Sequence, residues 1–105
     1  MATVSLCMIV KNEEKVLGRC LDSAKEIADE IIIVDTGSTD RTKEIAAEYT
    51  EKIYDFEWND DFSAARNESF RKATMDYCMW LDADDVIPER EQQKIKKLKE
   101  QLTPD

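Results

Sequence analysis

The stretch "WLDADD" (residues 80–85) carries the residues of this chain best suited to chemistry, the carboxylates Asp82, Asp84 and Asp85. They follow directly on an apolar run, Tyr77-Cys78-Met79-Trp80-Leu81. Like charges packed this closely repel one another, so folding alone gains little from the cluster. One aspartate is accounted for if it ends a strand and caps the next turn. The other two are better explained by a hard cation. Mg²⁺ and Mn²⁺ take oxygen ligands, and typically accept one or two carboxylates while substrate phosphates complete the shell. A DxD triplet by itself is weak evidence in an acidic chain; its place behind an apolar strand gives it weight.

Asp35 and Arg66 are the other candidates. Asp35 opens "DTGST", where it could simply be a turn residue whose carboxylate satisfies nearby amides while Gly37 permits an unusual backbone angle. Its expected position on the same sheet edge as Asp82 favours a functional role. Arg66 lies four residues after Phe62 and four before Phe70, within the apolar stripe of its helix. Either its stem packs while the guanidinium reaches water or an aspartate, or its planar fork of donors points into a crevice to bind a nucleobase carbonyl or a phosphate. Neither GxGxxG nor GxxxxGK[ST] is present, so dinucleotide and P-loop readings fall away.

The elements that must position these residues follow from hydrophobic pattern. Val4 to Val10, Ile31 to Val34 and Tyr77 to Leu81 are short continuous apolar runs, which suit strands buried on both faces of a parallel sheet. Ile53-Tyr54-Asp55-Phe56 alternates and suits an edge strand. Leu17, Cys20, Leu21, Ala24 and Ala28 share one helical face, with Asn12 as N-cap and Glu13-Glu14 in the first turn. Thr42, Ile45, Ala46 and Tyr49 repeat that pattern after the cap candidates Ser38, Thr39 and Asp40. A third helix is predicted from about Asp61 to Ala73, with Phe62, Ala65, Phe70 and Ala73 on one side. A lysine-rich helix near 89–102 carries a thin stripe of Ile95, Leu98 and Leu102. The order βαβαβαβ, with crossovers long enough for helices, predicts a doubly wound parallel α/β sheet with helices on both faces. In such sheets ligands bind at the carboxyl ends of the strands. That edge collects Lys11-Asn12, Asp35-Thr36 and Asp82.

Bulk properties set the class. With 105 residues there is room for one small domain, and 42% hydrophobic residues suffice for a core. A net charge of −9 argues against nucleic acid as the main partner, although a divalent cation could still mediate binding of a phosphorylated ligand. The three cysteines, Cys7, Cys20 and Cys78, have no metal-ligand spacing and there is no histidine, so free thiols in a reducing compartment are expected. No signal peptide and no membrane span are apparent, and a cytoplasmic location is expected. The strand 77–81 has no later strand to cover its outer edge, so self-association there, or shielding of it by the 89–102 helix, is expected.

Taken together, "VSLCMIVKNEEKVLGRCLDS", "EIIIVDTGSTDRTKEIA", "DDFSAARN" and "DYCMWLDADD" resemble the nucleotide-binding half of glycosyltransferase family 2, of GT-A fold. The resemblance covers about residues 3 to 87 and implies a Rossmann-like sheet of strand order 3-2-1-4. It implies transfer of a sugar from a nucleotide-diphosphate donor, with a lean to UDP-sugars, and Mg²⁺ or Mn²⁺ as cofactor. Val10 to Asn12 would line the base and ribose pocket. Asp35 would bind the uracil edge, and Arg66 the base or the diphosphate. Asp82 would lie near the ribose and Asp84 would coordinate the metal. Many members carry two acids where this chain has Asp35-Thr36, which removes one contact. The resemblance assigns residues 1–88 to the nucleotide-sugar-binding half and 89–105 to a solvated helix. It places the acceptor site and general base beyond residue 105, so that the chain reads as truncated. The sugar and the acceptor are not specified.

Two other readings compete with this one. "YCMWLDADDVI" also fits the DxDx[TV] signature of haloacid-dehalogenase-like phosphatases, but that reading needs later strands and ignores "VDTGSTDRT". A module that binds nucleotide without catalysis is the more serious alternative, and turnover separates it from an enzyme.

Overall fold

β-branched and apolar runs separated by crossover helices build a sheet of four parallel strands. The computed structural model describes residues 3–57 and 62–101. The strands are β1 (Val4–Val10), β2 (Glu30–Asp35), β3 (Ile53–Asp55) and β4 (Tyr77–Trp80), in the spatial order β3-β2-β1-β4. This is the expected doubly wound α/β arrangement. The helices are α1 (Leu17–Ala24), α2 (Thr42–Ala47), α3 (Phe62–Lys72) and α4 (Glu89–Gln101). Asp61 and Leu102, and the side chain of Phe62, lie outside the described residues.

The chain first moves outward from β1 through β2 to β3, then returns past β1 to lay down β4. Right-handed crossovers put α1 and α2 on one face and α3 on the other when the direction reverses in this way. Leu6, Met8 and Val10 of β1 accordingly pack with Leu17, Cys20, Leu21 and Ala24 of α1 and with Ala46 of α2. On the opposite face α3 lies over β1 and β2.

That face of α3 differs from the expectation. Its fully buried residues are Ala65 and Ser69, while Phe70 and Ala73 are half-buried and Arg66 is exposed. Positions 65 and 69 are small, so the helix approaches the sheet closely, and the Cys7 thiol reaches the Ser69 carbonyl at 3.7 Å. Phe70 is thereby displaced to the flank. The expected burial of β4 on both faces is also corrected. Tyr77 is 41% exposed and Cys78 is exposed, because β4 pairs with β1 alone. α4 runs beside it without burying any residue of its own, and Val4, Tyr77, Met79, Ile95 and Leu98 line the apolar groove between them. Lys99 Nζ ties α4 down by donating to the Ile27 carbonyl at 2.8 Å and to Asp29 at 2.7 Å.

Glu30 anchors the amino edge of the sheet. Its carboxylate is buried, and accepts hydrogen bonds from Lys52 Nζ, the Thr74 hydroxyl (2.6 Å), the Thr74 amide (2.8 Å) and the Ser5 hydroxyl (2.8 Å). Burial pushes its pKa up, but these donors outweigh burial and lower it from 4.5 to about 2. A carboxyl group depressed in this way stabilises the fold fully above its unfolded pKa. That stability is lost as pH falls through the folded value. Between pH 4.5 and about 2 the wild type should therefore lose stability through Glu30, by roughly 3 kcal/mol. Glu30→Gln should be destabilised by about 2–3 kcal/mol at neutral pH and show a flatter acid limb. Urea titrations of both proteins across that range check it; parallel acid limbs would contradict the assignment.

Candidate active site

At the carboxyl edge Asp35 ends β2 directly opposite Val10 of β1. Asp35 is 2% exposed. Its Oδ1 accepts the amides of Gly37 (2.9 Å) and Ser38 (2.8 Å), the turn made possible by Gly37 at φ 113°. Asp35 thus fulfils the structural role of a turn acid with one oxygen only. Its Oδ2 is buried and has no hydrogen-bond partner among the described residues. A buried carboxylate oxygen left unpaired costs free energy, and such an atom at a crevice calls for a donor from a ligand. Val10 belongs to the core, and its carbonyl accepts both the amide (3.0 Å) and the hydroxyl (3.3 Å) of Thr36. The Thr36 hydroxyl thereby helps close β1 on β2.

Asn12 does not cap α1, as the sequence had suggested. The helix begins four residues later, after Val16, with no side-chain cap. Asn12 instead adopts φ 54°, a left-handed conformation that Asn tolerates better than most residues. Its amide donates to Ser38 Oγ (2.9 Å), and its Oδ1 accepts the Thr39 amide (2.8 Å). The Glu13 amide donates to Thr42 Oγ1 at 2.8 Å, and the Glu14 amide to Asp40 at 3.3 Å. The loop after β1 is therefore fastened to the loop after β2 and forms one wall.

The acidic cluster follows β4 at the same edge of the sheet. A turn closed by the Asp85 amide on the Asp82 carbonyl (3.0 Å) follows β4, and the Asp82 amide donates to Asp85 Oδ2 (3.2 Å). Ala83 is buried and fixes the turn to the core, while Asp82, Asp84 and Asp85 are exposed. One carboxylate oxygen from each lies within 4.8 Å of the others. This all-oxygen set fits a hard divalent cation. Asp85, left unassigned in the sequence, belongs to it. Beneath the turn the Cys20 thiol faces the Asp82 carbonyl at 3.5 Å. Burial pushes Cys20 up to about 11, and the charges of Asp85, Asp84 and Asp82 add to the shift, so this thiol stays protonated.

Arg66 stands beside this turn. Its guanidinium carbon lies 5.1 Å from the Trp80 ring centroid and 5.4 Å from that of Phe70. Among the described residues the guanidinium meets aromatic rings rather than an aspartate. A cleft at the opposite edge, lined by Lys25, Glu30, Tyr49, Thr50 and Lys52, is a poorer candidate, since its one buried acid, Glu30, already accepts four hydrogen bonds.

Fold and site together define a parallel α/β domain with an acidic, oxygen-donor crevice at its topological switch point. The sequence model of Glycosyl transferase family 2 matches residues 5–105, and the chain belongs to that family. It is 54% identical over 87 residues to a TPR repeat-containing protein of Synechococcus elongatus, covering 83% of this chain and 22% of that protein. It is 36% identical over 98 residues to the SPbeta prophage-derived glycosyltransferase SunS of Bacillus subtilis, covering 91% and 23%. Among solved structures it resembles S. aureus TarS residues 1–349, with TM-score 0.77, 24% identity and coverage of 94% and 32%. It also resembles M. tuberculosis glucosyl-3-phosphoglycerate synthase in complex with Mn²⁺ and UDP-glucose, with TM-score 0.69, 23% identity and coverage of 83% and 35%. The chain thus spans between 22% and 35% of the length of these proteins.

The Asn12 bridge can be tested by substitution. Asn12→Ala removes the bond to Thr39 and strains the backbone, and should cost about 1–3 kcal/mol. Asn12→Gly relieves the strain and should recover about 1 kcal/mol of that. Chemical denaturation of the three proteins reads both steps. Equal stability of wild type and Asn12→Ala would show that the two loops are not held by this residue.

Proposed function

We propose that this chain supplies the donor and metal site of a glycosyltransferase that takes its sugar from a nucleotide diphosphate, most simply a UDP-sugar. Residues 1–88 would form the nucleotide-sugar-binding half, followed by the 89–105 helical segment. The reading is carried by the unpartnered Oδ2 of buried Asp35 on the same sheet edge as the Asp82, Asp84 and Asp85 oxygens. Uracil carries an N3–H donor that could meet Asp35 Oδ2, whereas cytosine has an acceptor at that position. Val10 and Asn12 shape the wall around the base and ribose, Asp82 lies toward the ribose, and Arg66 offers donors to the base or diphosphate. Asp84 would hold Mg²⁺ or Mn²⁺, with Asp85 within reach of the same ion. When bound, such a cation neutralises diphosphate charge and acts as a Lewis acid on the leaving group. Complexes of the mycobacterial synthase with UDP, with Mg²⁺ and UDP, and with Mn²⁺ and UDP-glucose support the choice of ligand and ion.

Calorimetry of UDP binding tests the metal's role. Affinity in Mn²⁺ should exceed that in chelator by about tenfold or more; equal affinities would remove the metal from the site. Asp35→Asn tests the base contact. The variant keeps an oxygen for the Gly37 and Ser38 amides, so its melting temperature should hold. Its amide would place a donor against the uracil N3–H. UDP affinity should fall by about 10- to 100-fold, with a smaller loss for CDP. Equal losses for both nucleotides would refute the assigned contact. Sugar transfer itself is to be measured on the natural full-length protein, where absence of turnover with intact UDP binding would favour a non-catalytic module.

A further inference from the structure

The guanidinium of Arg66 is held without using a single hydrogen bond or ion pair among the described residues, although the chain carries 24 acids and Trp80 lies two residues before Asp82. Phe70 comes from the next turn of α3 and Trp80 from the last position of β4, so two separate elements meet at this cation. The rings pack edge-to-face, with centroids 6.0 Å apart and planes at 67°. Attraction of a cation to an aromatic face uses the ring quadrupole and leaves the N–H groups unspent. Donors of the guanidinium then remain available to a ligand. A carboxylate partner would have fixed the side chain equally well, but at the cost of its donors and its charge.

We propose that Phe70 and Trp80 are positioning residues that hold the Arg66 guanidinium against their rings and leave its N–H groups to the diphosphate of the donor. This rests on the nucleotide-diphosphate reading of the site. The electrostatics favour the diphosphate over the base. A ligand carrying several negative charges must approach beside three exposed aspartates. An unneutralised arginine offsets that repulsion, whereas a neutral base gains little from it. The aromatic shelf therefore keeps a positive charge in an acidic crevice from collapsing onto the nearest carboxylate.

The test compares UDP with uridine, in Mn²⁺, across substitutions of the full chain. Trp80→Leu and Phe70→Leu should each weaken UDP by about tenfold and leave uridine within about twofold. Trp80→Phe should restore most of the UDP affinity, since it keeps a ring, and Arg66→Lys should behave like Trp80→Leu. Equal loss of UDP and uridine would mark a merely structural role, and unchanged UDP affinity in Trp80→Leu would remove the shelf from function; either overturns the proposal. The free protein provides an independent measurement. Arg66 Hδ and Hε resonances should be shifted upfield by ring current in wild type and return toward ordinary values in Trp80→Leu. Absence of that shift in wild type overturns the positioning claim whatever the ligand. If the shift is present and wild type does not bind UDP, the donor-site reading has failed, and the diphosphate as the ligand of Arg66 with it.

Discussion

Because β1 pairs in parallel with β2 on one side and with β4 on the other, the carboxyl ends of strands far apart in sequence meet at one edge. The register does the positioning. Val10 opposite Asp35 brings the loop after β1 against the loop after β2, where Asn12 can bond Ser38 and Thr39. Cys7 opposite Trp80 stops β4 short of the end of β1, so the chain turns at Asp82 while β1 still runs on. The acids are therefore displayed on a turn beside β1. A slip of one residue in either pairing would exchange the faces of the strand, putting Leu6, Met8 and Val10 where Ser5 and Cys7 now lie.

Acids at the two ends of this sheet are treated in opposite ways. At the amino edge Glu30 is buried and saturated with donors, which holds its pKa near 2 and makes it a structural tie between β1, β2 and the segment before β4. At the carboxyl edge Asp35 is as deeply buried but has only one oxygen satisfied, and Asp82, Asp84 and Asp85 face water. Satisfaction of hydrogen bonds, rather than burial or sequence context, separates the acid that holds the fold from those left available to a ligand.

Much of this was legible from the sequence, and the residues that were not share a physical cause. Strand and helix order follow from apolar runs and helical spacing, and parallel topology alone then brings Asp35 to the edge that carries Asp82. Asn12 misled because asparagine before an acidic pair is a good cap signal, and nothing local reveals that its partners lie 26 and 27 positions away. Arg66 was read as part of an apolar stripe because Phe62 and Phe70 flank it at helical spacing. The side of α3 that meets the sheet was decided by small residues, Ala65 and Ser69, which a pattern of bulky side chains does not mark. The burial of Tyr77 and Cys78 was overestimated for a related reason. An apolar run does not say how completely helices will cover the faces of an edge strand.

The loop wall shows why this edge can be rigid without regular structure. Four backbone amides, those of Asn12, Glu13, Glu14 and Thr39, are each satisfied by a side chain across the gap between the two loops. Three of these bonds are donated by the loop after β1 and one is returned to it by Thr39, so neither loop can move alone without leaving unpaired groups in the other. Thr42 contributes from the second position of this network, since its hydroxyl accepts the Glu13 amide while its own amide donates to Asp40 at 3.0 Å. The unpartnered oxygen of Asp35 sits at the base of that wall and gains from its stiffness. An acceptor held by a rigid surround need not be reorganised when a ligand donor arrives, so the cost of leaving it unpaired in the free protein returns as binding free energy.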